Sequence, residues 1–165
     1  MKTIEIFCDG SGTTWDNAAG YGFVLVINGE FHSEGYGYIP QGSNNDAEIA
    51  AAIKGMMAAK EVIVNVTSYS IKLCSDSQLC LGWASGRYRH KDVNRSKTVA
   101  FLQGLLKELQ AEPVWVKGHS GHQWNTRADA LAHKGRTGKF KLKRDRLKEE
   151  AALAALALLD ASTND

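Results

Sequence analysis

Cysteine is scarce in this chain of 165 residues, which contains Cys8, Cys74 and Cys80 and no other. Each lies in or beside an apolar segment, and an odd number of such thiols is typical of reduced core residues rather than a disulfide framework. Long apolar runs are also lacking, since nowhere do about 18 uninterrupted apolar residues occur, and the amino terminus has no signal-peptide pattern. We therefore expect a soluble, cytoplasmic protein with no membrane association.

A strong charge of either sign is absent too. The formal net charge is +2 and the hydrophobic content is 44%. Such a chain has the size and composition of one domain with a proper core. The mild positive charge permits a polyanionic partner without requiring one, so composition excludes little about the substrate.

The first half of the chain has the pattern of an antiparallel meander followed by a helix. Ile4 and Ile6 alternate with Glu5, and two segments rich in aromatic and branched residues flank Asn28-Gly29, a strong hairpin signal. Apolar residues at helical spacing then predict a helix. The predicted elements are strands over 20–28 and 30–39 and a helix over 44–60, with Ile49, Ile53, Met56 and Met57 on its apolar face.

Strands and helices alternate in the second half, which favours parallel pairing there. The predicted elements are a strand over 70–75, a helical segment containing Leu79 and Trp83, a helix over 96–110, a strand over 113–116 and a helix starting over 125–133. We expect Trp83 and Trp115 to lie in or near the core. The resulting fold class is α/β, with a mixed five-stranded sheet of three antiparallel and then two parallel strands, flanked by helices.

The chain changes character after Gly135. Residues 139–148 are strongly basic, and 149–161 form an Ala/Leu helix with an apolar stripe of Leu153, Leu156 and Leu159. We therefore divide the chain into a domain over 1–135 and an extension over 136–165, a basic linker with a C-terminal helix. Two interpretations stay open: the helix packs on the core or a second subunit, which we favour, or the basic run contacts phosphates.

Four acids stand where element boundaries would place them: Asp9 after the first strand, Glu48 early in the first helix, Asp76 after the fourth strand and Asp129 early in the last core helix. Neighbouring parallel strands present their carboxyl ends together, so Asp9 and Asp76 are expected side by side. Taken singly, each acid is more simply explained as a turn residue, a helix cap or a solvated helix residue. Their joint placement favours a shared site.

Clustered carboxylates repel one another unless protons or cations bridge them, and oxygen-only ligands favour hard ions such as Mg²⁺ or Mn²⁺. Two such ions about 4 Å apart can hold the attacking and leaving oxygens of a phosphodiester. A nuclease or polynucleotidyl transferase fits this chemistry. His119 and His122 have a spacing that could suggest a zinc site. We discount zinc, because the sequence has no thiolate or second histidine pair at zinc-ligand spacing.

These residues resemble type 1 ribonuclease H, including the domain found in reverse transcriptases. The resemblance covers residues 1 to about 135 and rests on four ordered motifs: Asp9-Gly10-Ser11, Ser43 to Glu48, Ser75 to Gln78, and Val116 to His122 followed by Asn125 and Asp129. It implies the ribonuclease H-like fold and does not imply a protein partner. We expect a monomer, although the C-terminal helix leaves self-association open. A long basic protrusion is missing, because only 84–94 intervene after the Asp76 helix.

The resemblance also implies roles for individual residues. Two Mg²⁺ ions, replaceable by Mn²⁺, would bind the four acids, with Asp9 bridging both, Asp129 on the nucleophile side and Glu48 and Asp76 on the other ion. His119 would assist proton transfer or product release. Substrate contacts are implied for Gly10, Ser11, Asn17, Ser43, Asn44, Asn45, Gln78 and Asn125. Asn44, Asn45 and Gln78 would read the minor groove and RNA 2′-hydroxyls, and Ser43 and Asn17 a phosphate of the DNA strand.

The expected activity is endonucleolytic cleavage of the RNA strand of RNA/DNA hybrids, giving 5′-phosphate and 3′-hydroxyl ends. A first rival is a catalytically silent module of the same fold that binds hybrids or double-stranded RNA, which the complete acid set argues against. A second rival is a resolvase or integrase acting on DNA, which Asn44, Asn45 and Gln78 argue against.

Overall fold

The computed structural model describes residues 1–14 and 17–162, except for the side chains of 139–147 and 160–162. A short 3₁₀ turn over Val66–Ser68 precedes β4. The elements are β1 (Lys2–Gly12), β2 (Ala19–Ile27), β3 (Glu30–Ile39), α1 (Asn44–Val62), β4 (Tyr69–Ser75), α2 (Gln78–Ala84), α3 (Val93–Leu109), β5 (Glu112–Trp115) and α4 (Gln123–Ser162).

The five strands form one mixed sheet in the order β3-β2-β1-β4-β5. The pairs β1–β2 and β2–β3 are antiparallel, and β4 lies parallel to both β1 and β5. Asn28 and Gly29, with φ angles of 52° and 80°, make the tight turn between β2 and β3, as the hairpin signal predicts. The predicted α/β class and strand arrangement are confirmed.

Helices cover both faces of this sheet. On one face, the apolar residues of α1 and α3 pack with Ile4, Ile6 and Leu73 in a large buried cluster. Ala51 and Ala52 of α1 are fully buried, so small side chains allow that helix to lie close to the strands. On the other face, α4 buries Ala128 and Leu131 against Phe7 and neighbouring strand residues. The sheet is therefore the middle of three layers.

Two expectations about large side chains are wrong. Met57 is 43% exposed, because it follows the buried Ala52 by five residues, which turns it about 140° away from the sheet. Trp115 is 51% exposed, because it ends β5, a four-residue strand at the edge of the sheet. The expected burial of Trp83 is confirmed, since it is only 5% exposed.

The last helix is longer than expected. A single α4 of 40 residues runs from Gln123 to Ser162, so the boundary predicted at 135/136 falls inside a continuous helix and the expected linker is helical. Leu153, Leu156 and Leu158 are 67%, 59% and 73% exposed, so these leucines do not pack on the core, and packing of this segment on a second subunit stays a prediction. Contact of the basic run with phosphates stays a prediction, because the side chains of 139–147 lie outside the described part.

Two further expectations can be compared with the structure. The cysteines are buried free thiols, as predicted. Only residues 85–92 lie between α2 and α3, which is a short connection.

Among the helices of the described residues, none has both the length and the apolar character that a bilayer-spanning segment needs.

Candidate active site

Strand register brings Asp9 and Asp76 together. In the parallel pair β1–β4, Cys8 lies opposite Ser75. Asp9 directly follows Cys8, and Asp76 directly follows Ser75. Both therefore stand at the carboxyl ends of adjacent parallel strands, the edge where α/β sheets commonly place their sites. The predicted pairing of these acids is borne out.

Glu48 joins them from the other layer. Ser43 caps α1, and Glu48 lies in its second turn, 5% exposed. The close approach of α1 to β1 depends on Gly10, because a Cβ there would lie 2.5 Å from the Glu48 backbone nitrogen. Ligand oxygens of Asp9, Glu48 and Asp76 all lie within 4.8 Å of one another. Gly10 thus has a structural reason to be small, whatever its contact with substrate.

Asp129 approaches the cluster from α4. It lies outside the group of three within 4.8 Å, but its side chain is hydrogen-bonded to that of Asp9. Asp129 is exposed, whereas Asp9 is only 4% exposed. The structure therefore brings the four predicted acids to one edge of the sheet, three in a tight group and the fourth against Asp9.

Burial and mutual repulsion raise the pKa of these carboxyl groups. Burial, the hydrogen bond with Asp129 and the charge of Asp76 raise the pKa of Asp9 to about 8. Burial and the charges of Asp9 and Asp76 raise the pKa of Glu48 to about 10. Burial and the charge of Asp129 also raise the pKa of Asp76. A nearby cation would reverse these shifts, because it favours the ionised forms.

The donor set fits a hard divalent cation. Among the described residues, the Glu48 Oε2 atom is buried and has no hydrogen-bond partner. A buried carboxylate oxygen without a partner is costly, and a metal ion would satisfy it. The cluster offers only oxygen ligands, which are the ligands that Mg²⁺ and Mn²⁺ prefer. The residues present therefore fit the expected cofactor.

Asn125 is buried beside Asp76. It is 4% exposed, and its side chain amide acts on the Asp76 carboxylate so as to oppose the rise in that pKa. The neighbouring His122 accepts a hydrogen bond from the Asn125 backbone N–H at Nδ1, over 3.5 Å, and its ring lies 4.9 Å from that of Phe7. We interpret Asn125 as a positioning residue for Asp76, and its contact with substrate stays a prediction.

His119 lies in the exposed loop between β5 and α4. Its backbone φ is 53°, and its charge lowers the pKa of Asp76, so the imidazole is close enough to act on the acid cluster electrostatically. The preceding Gly118 packs against Asp76, since a Cβ there would lie 2.8 Å from Oδ2. The loop is thus next to the site, as predicted, and the catalytic role of His119 stays a prediction.

Three of the residues predicted to contact substrate, Asn44, Asn45 and Gln78, lie at the starts of helices. Asn44 and Asn45 open α1, whose start touches the end of β1, because a Cβ on Gly12 would lie 2.6 Å from the Asn44 nitrogen. Gln78 is exposed and begins α2 two residues after Asp76. Their contacts with substrate stay predictions.

Ser43 and Asn17 were assigned to a phosphate. The Ser43 hydroxyl accepts from the Asp46 N–H at 3.2 Å, and the Ser43 backbone N–H donates to Asp46 Oδ2 at 2.9 Å, so the two residues form a capping box. Asn17, with φ of 52°, accepts a hydrogen bond from the Gly42 N–H at its carbonyl. Each therefore has a structural role beside the one predicted.

Sequence reasoning missed Arg136, which it placed outside the domain. Its Nε donates to the Ser11 hydroxyl over 3.1 Å, and Ser11 lies two residues after Asp9 in β1. The spacing of seven residues between Asp129 and Arg136 was the available signal, because it puts both on one face of a helix.

The fold is that of an α/β protein, and the acid cluster at the carboxyl ends of β1 and β4 has the ligands of a divalent-cation site. A family model described as RNase H matches residues 1–137. The chain is 34% identical over 147 residues to the ribonuclease H of Nitrosomonas eutropha, covering 82% of this chain and 90% of that relative. It is 34% identical over 146 residues to the ribonuclease H of Hahella chejuensis, with 82% and 94% covered.

Solved structures agree. The ribonuclease H1 of the archaeon Halobacterium salinarum superposes with a TM-score of 0.70 at 27% identity, covering 81% of this chain and 96% of that one. The LC11 ribonuclease H1, crystallised in complex with an RNA/DNA hybrid, superposes with a TM-score of 0.72 at 22% identity, with 83% and 99% covered. The chain belongs to the ribonuclease H family, as a type 1 ribonuclease H. It is a nuclease of the hydrolase class.

Proposed function

We propose that this ribonuclease H cleaves the RNA strand of RNA/DNA hybrids endonucleolytically and leaves 5′-phosphate and 3′-hydroxyl ends. The observation that carries the proposal is the cluster of Asp9, Glu48 and Asp76. Their ligand oxygens lie within 4.8 Å of one another at the carboxyl ends of β1 and β4. The hybrid bound to the LC11 enzyme supports the choice of substrate, because that protein has the same fold.

The cofactor we propose is a pair of Mg²⁺ ions, for which Mn²⁺ can substitute. Asp9 would contact both, Asp129 would hold the ion on the nucleophile side, and Glu48 and Asp76 would hold the other. Bound there, the ions supply Lewis-acid stabilisation of charge on the phosphodiester oxygens. The buried, partnerless Glu48 Oε2 supports this assignment, since a cation would give it the partner it lacks.

The chain's own residues hold and orient this acid group. Asn125 lies beside Asp76 and lowers the pKa of its carboxyl group, which favours the ionised form that binds a cation. His119, next to Asp76 on an exposed loop, would carry a proton or help product leave. Asn44, Asn45 and Gln78 would contact the minor groove, where 2′-hydroxyls distinguish RNA from DNA.

The test is a cleavage assay on four end-labelled substrates: an RNA/DNA hybrid, duplex RNA, duplex DNA and single-stranded RNA. With Mg²⁺, we expect cleavage of the hybrid's RNA strand alone, and none with EDTA. Asp9→Asn should lower kcat by at least about 10³-fold, since one preorganised electrostatic contact is already worth about 10²–10³. Enzymatic ligation and phosphatase treatment of the products identify their ends.

Each failure has a distinct meaning. Tight hybrid binding without turnover would identify a silent binding module, and cleavage of duplex DNA in place of the hybrid would identify a DNA-processing enzyme. Wild-type turnover by Asp9→Asn would show that the acid cluster does not carry the reaction. Arg127→Gln is the control, because Arg127 is paired with Glu34 through two hydrogen bonds of 2.8 and 2.6 Å, away from the acids.

A further inference from the structure

Arg136 lies on the face of α4 that carries Asp129. Seven residues separate them, which is nearly two full turns and about 10 Å along the helix. On the facing strand, Asp9 and Ser11 are two residues apart and point to the same side of the sheet. The geometry is thus repeated: Asp129 meets Asp9 through a hydrogen bond, and Arg136 Nε donates to the Ser11 hydroxyl over 3.1 Å.

Neither of the two side chains that contact the guanidinium is a carboxylate. The second of these contacts is between Nη2 and His133 Nδ1, at 3.1 Å. Within the described part of the chain, the ion pairs join Arg95 to acids 46 and 92, Arg127 to Glu34 and a lysine to a glutamate, and none of them includes Arg136. Arg136 is also partly buried, so its charge is partly removed from water. A cation in this setting gains most from an anionic ligand.

Packing holds the arginine in place. Gly20 of β2 touches the Arg136 backbone directly, leaving no room for a side chain at that strand position. The guanidinium is planar and carries five N–H donors. Its contacts with Ser11 and His133 use only some of these donors. The remaining donors suit a phosphate, which a guanidinium binds through two parallel hydrogen bonds.

We propose that Arg136 binds a backbone phosphate of the nucleic-acid substrate, with Ser11 holding the guanidinium in position. This inference rests on the proposed function, because it takes the ligand to be the hybrid. Arg136 stands about 10 Å along α4 from Asp129, so the phosphate it binds is a neighbour of the scissile one. Arg136 sets affinity and register and does not touch the reacting atoms.

The test compares Arg136→Gln with Arg127→Gln, a matched control on the same helix. Nine residues separate the two arginines, which puts them about 180° apart on α4. Binding of a fluorescent hybrid is measured in EDTA from about 50 to 300 mM salt, and KM and kcat are measured in Mg²⁺. Loss of one phosphate contact should lower the slope of log K against log[salt] by about 1.

We expect Arg136→Gln to weaken hybrid binding about 5–20-fold at low salt and to raise KM by a similar factor, with kcat within about 3-fold of wild type. Arg127→Gln should leave the affinity and the slope unchanged. A wild-type slope for Arg136→Gln, or an equal loss in Arg127→Gln, would overturn the inference. If Arg136→Gln does not fold, Arg136→Met decides: a slope lowered by about 1 supports the phosphate contact, and a wild-type slope refutes it.

The two proposals fail separately. Absence of hybrid cleavage by the wild-type protein refutes the proposed function. An unchanged salt slope in an enzyme that does cleave the hybrid refutes only the role of Arg136.

Discussion

The two halves of α4 have similar backbones and opposite surroundings. From Gln123 to Gly138 the helix packs on the sheet, with Ala128 and Ala132 fully buried. Further along, Leu153 and Leu156 are 67% and 59% exposed. The alanine and leucine content of the second half would suit a buried helix better than that of the first. Apolar content in a helix therefore does not decide burial; a complementary surface opposite it does.

That complementary surface is made by glycines of the sheet. A Cβ on Gly22 would lie 2.5 Å from both the Ala128 oxygen and the Ala132 nitrogen. These contacts bring the start of α4 close enough for Asn125, Asp129 and Arg136 to reach the site. No glycine of the described residues makes a comparable contact with the second half.

Among changes in the packed half of α4, the largest loss of activity is expected at Asn125. Asn125→Ala should lower kcat about 10–100-fold and raise the Mg²⁺ concentration for half-maximal activity, because residues that orient metal ligands contribute by about that factor. Steady-state kinetics over a Mg²⁺ series measure both. Thr126→Ala is the control, since Thr126 is exposed and faces away from the acids. Equal effects of the two changes would contradict the positioning role.

A stability effect is expected where the sheet meets the first half of α4. Gly22→Ala should lower the free energy of unfolding by about 1–3 kcal/mol, because the added methyl group overpacks the contact with α4. Urea denaturation followed by circular dichroism measures it. Gly104→Ala in α3 is the matched control, because a Cβ there meets nothing within 4 Å, and it should be neutral or stabilising by up to about 1 kcal/mol. A neutral Gly22→Ala would show that the helix does not need this close approach.

A third effect depends on pH, through the acids that α4 and the strands bring together. The raised pKa values of Asp9 and Glu48 mean that, above about pH 4, the folded protein retains protons that the unfolded chain releases. The free energy of unfolding in EDTA should therefore fall between pH 5.5 and 8.5, by about 1 kcal/mol or more, since one pKa unit corresponds to about 1.4 kcal/mol.

Thermal melts at the two pH values, with EDTA and with Mg²⁺, measure this dependence. Mg²⁺ should stabilise the protein more at pH 8.5, where the acids ionise more readily. In EDTA, Asp9→Asn should flatten the pH dependence. The lowered pKa values of Glu34 and Asp46 act below this range. Burial raises the pKa of Cys8, Cys74 and Cys80, which adds to the fall near pH 8.5, and Asp9→Asn should leave that part in place. A stability independent of pH in EDTA would contradict the electrostatic account of the site.

The smallest effect is expected from removing the exposed half of α4. Truncation after Gly138 keeps Arg136 and should change the free energy of unfolding by less than about 1 kcal/mol, with kcat within about 2-fold, because exposed terminal segments contribute little. Truncation after Gly135 also removes Arg136 and should raise KM further. Loss of folding in the 1–138 chain would show that the second half supports the core after all.

The sequence could predict the site because its acids follow elements with clear patterns. Asp9 and Asp76 stand directly after apolar strands, so the parallel register of those strands brings them together. Glu48 was placed by the apolar spacing of α1, although the buried residues of that helix include Ala51 and Gly55, which amphipathic spacing alone does not reveal. Met57 was misplaced for that reason.

Other features depend on contacts that are distant in the chain. The exposure of Trp115 depends on β5 being an edge strand, and its Nε1 donates instead to the Asp76 carbonyl over 3.2 Å. The contact of Arg136 with Ser11 joins residues 125 positions apart, beyond the reach of any local pattern. The division at 135/136 stays a prediction, since α4 passes through it as one helix.

The most direct measurement is anomalous X-ray scattering from crystals of the protein soaked in Mn²⁺. Metal peaks are expected within coordination distance of Asp9, Glu48, Asp76 and Asp129, and they should be lost or weakened in crystals of Asp9→Asn. A soaked crystal with no metal at Asp9, or with peaks only at other acids, would contradict the central claim that this sheet edge is a metal-dependent nuclease site.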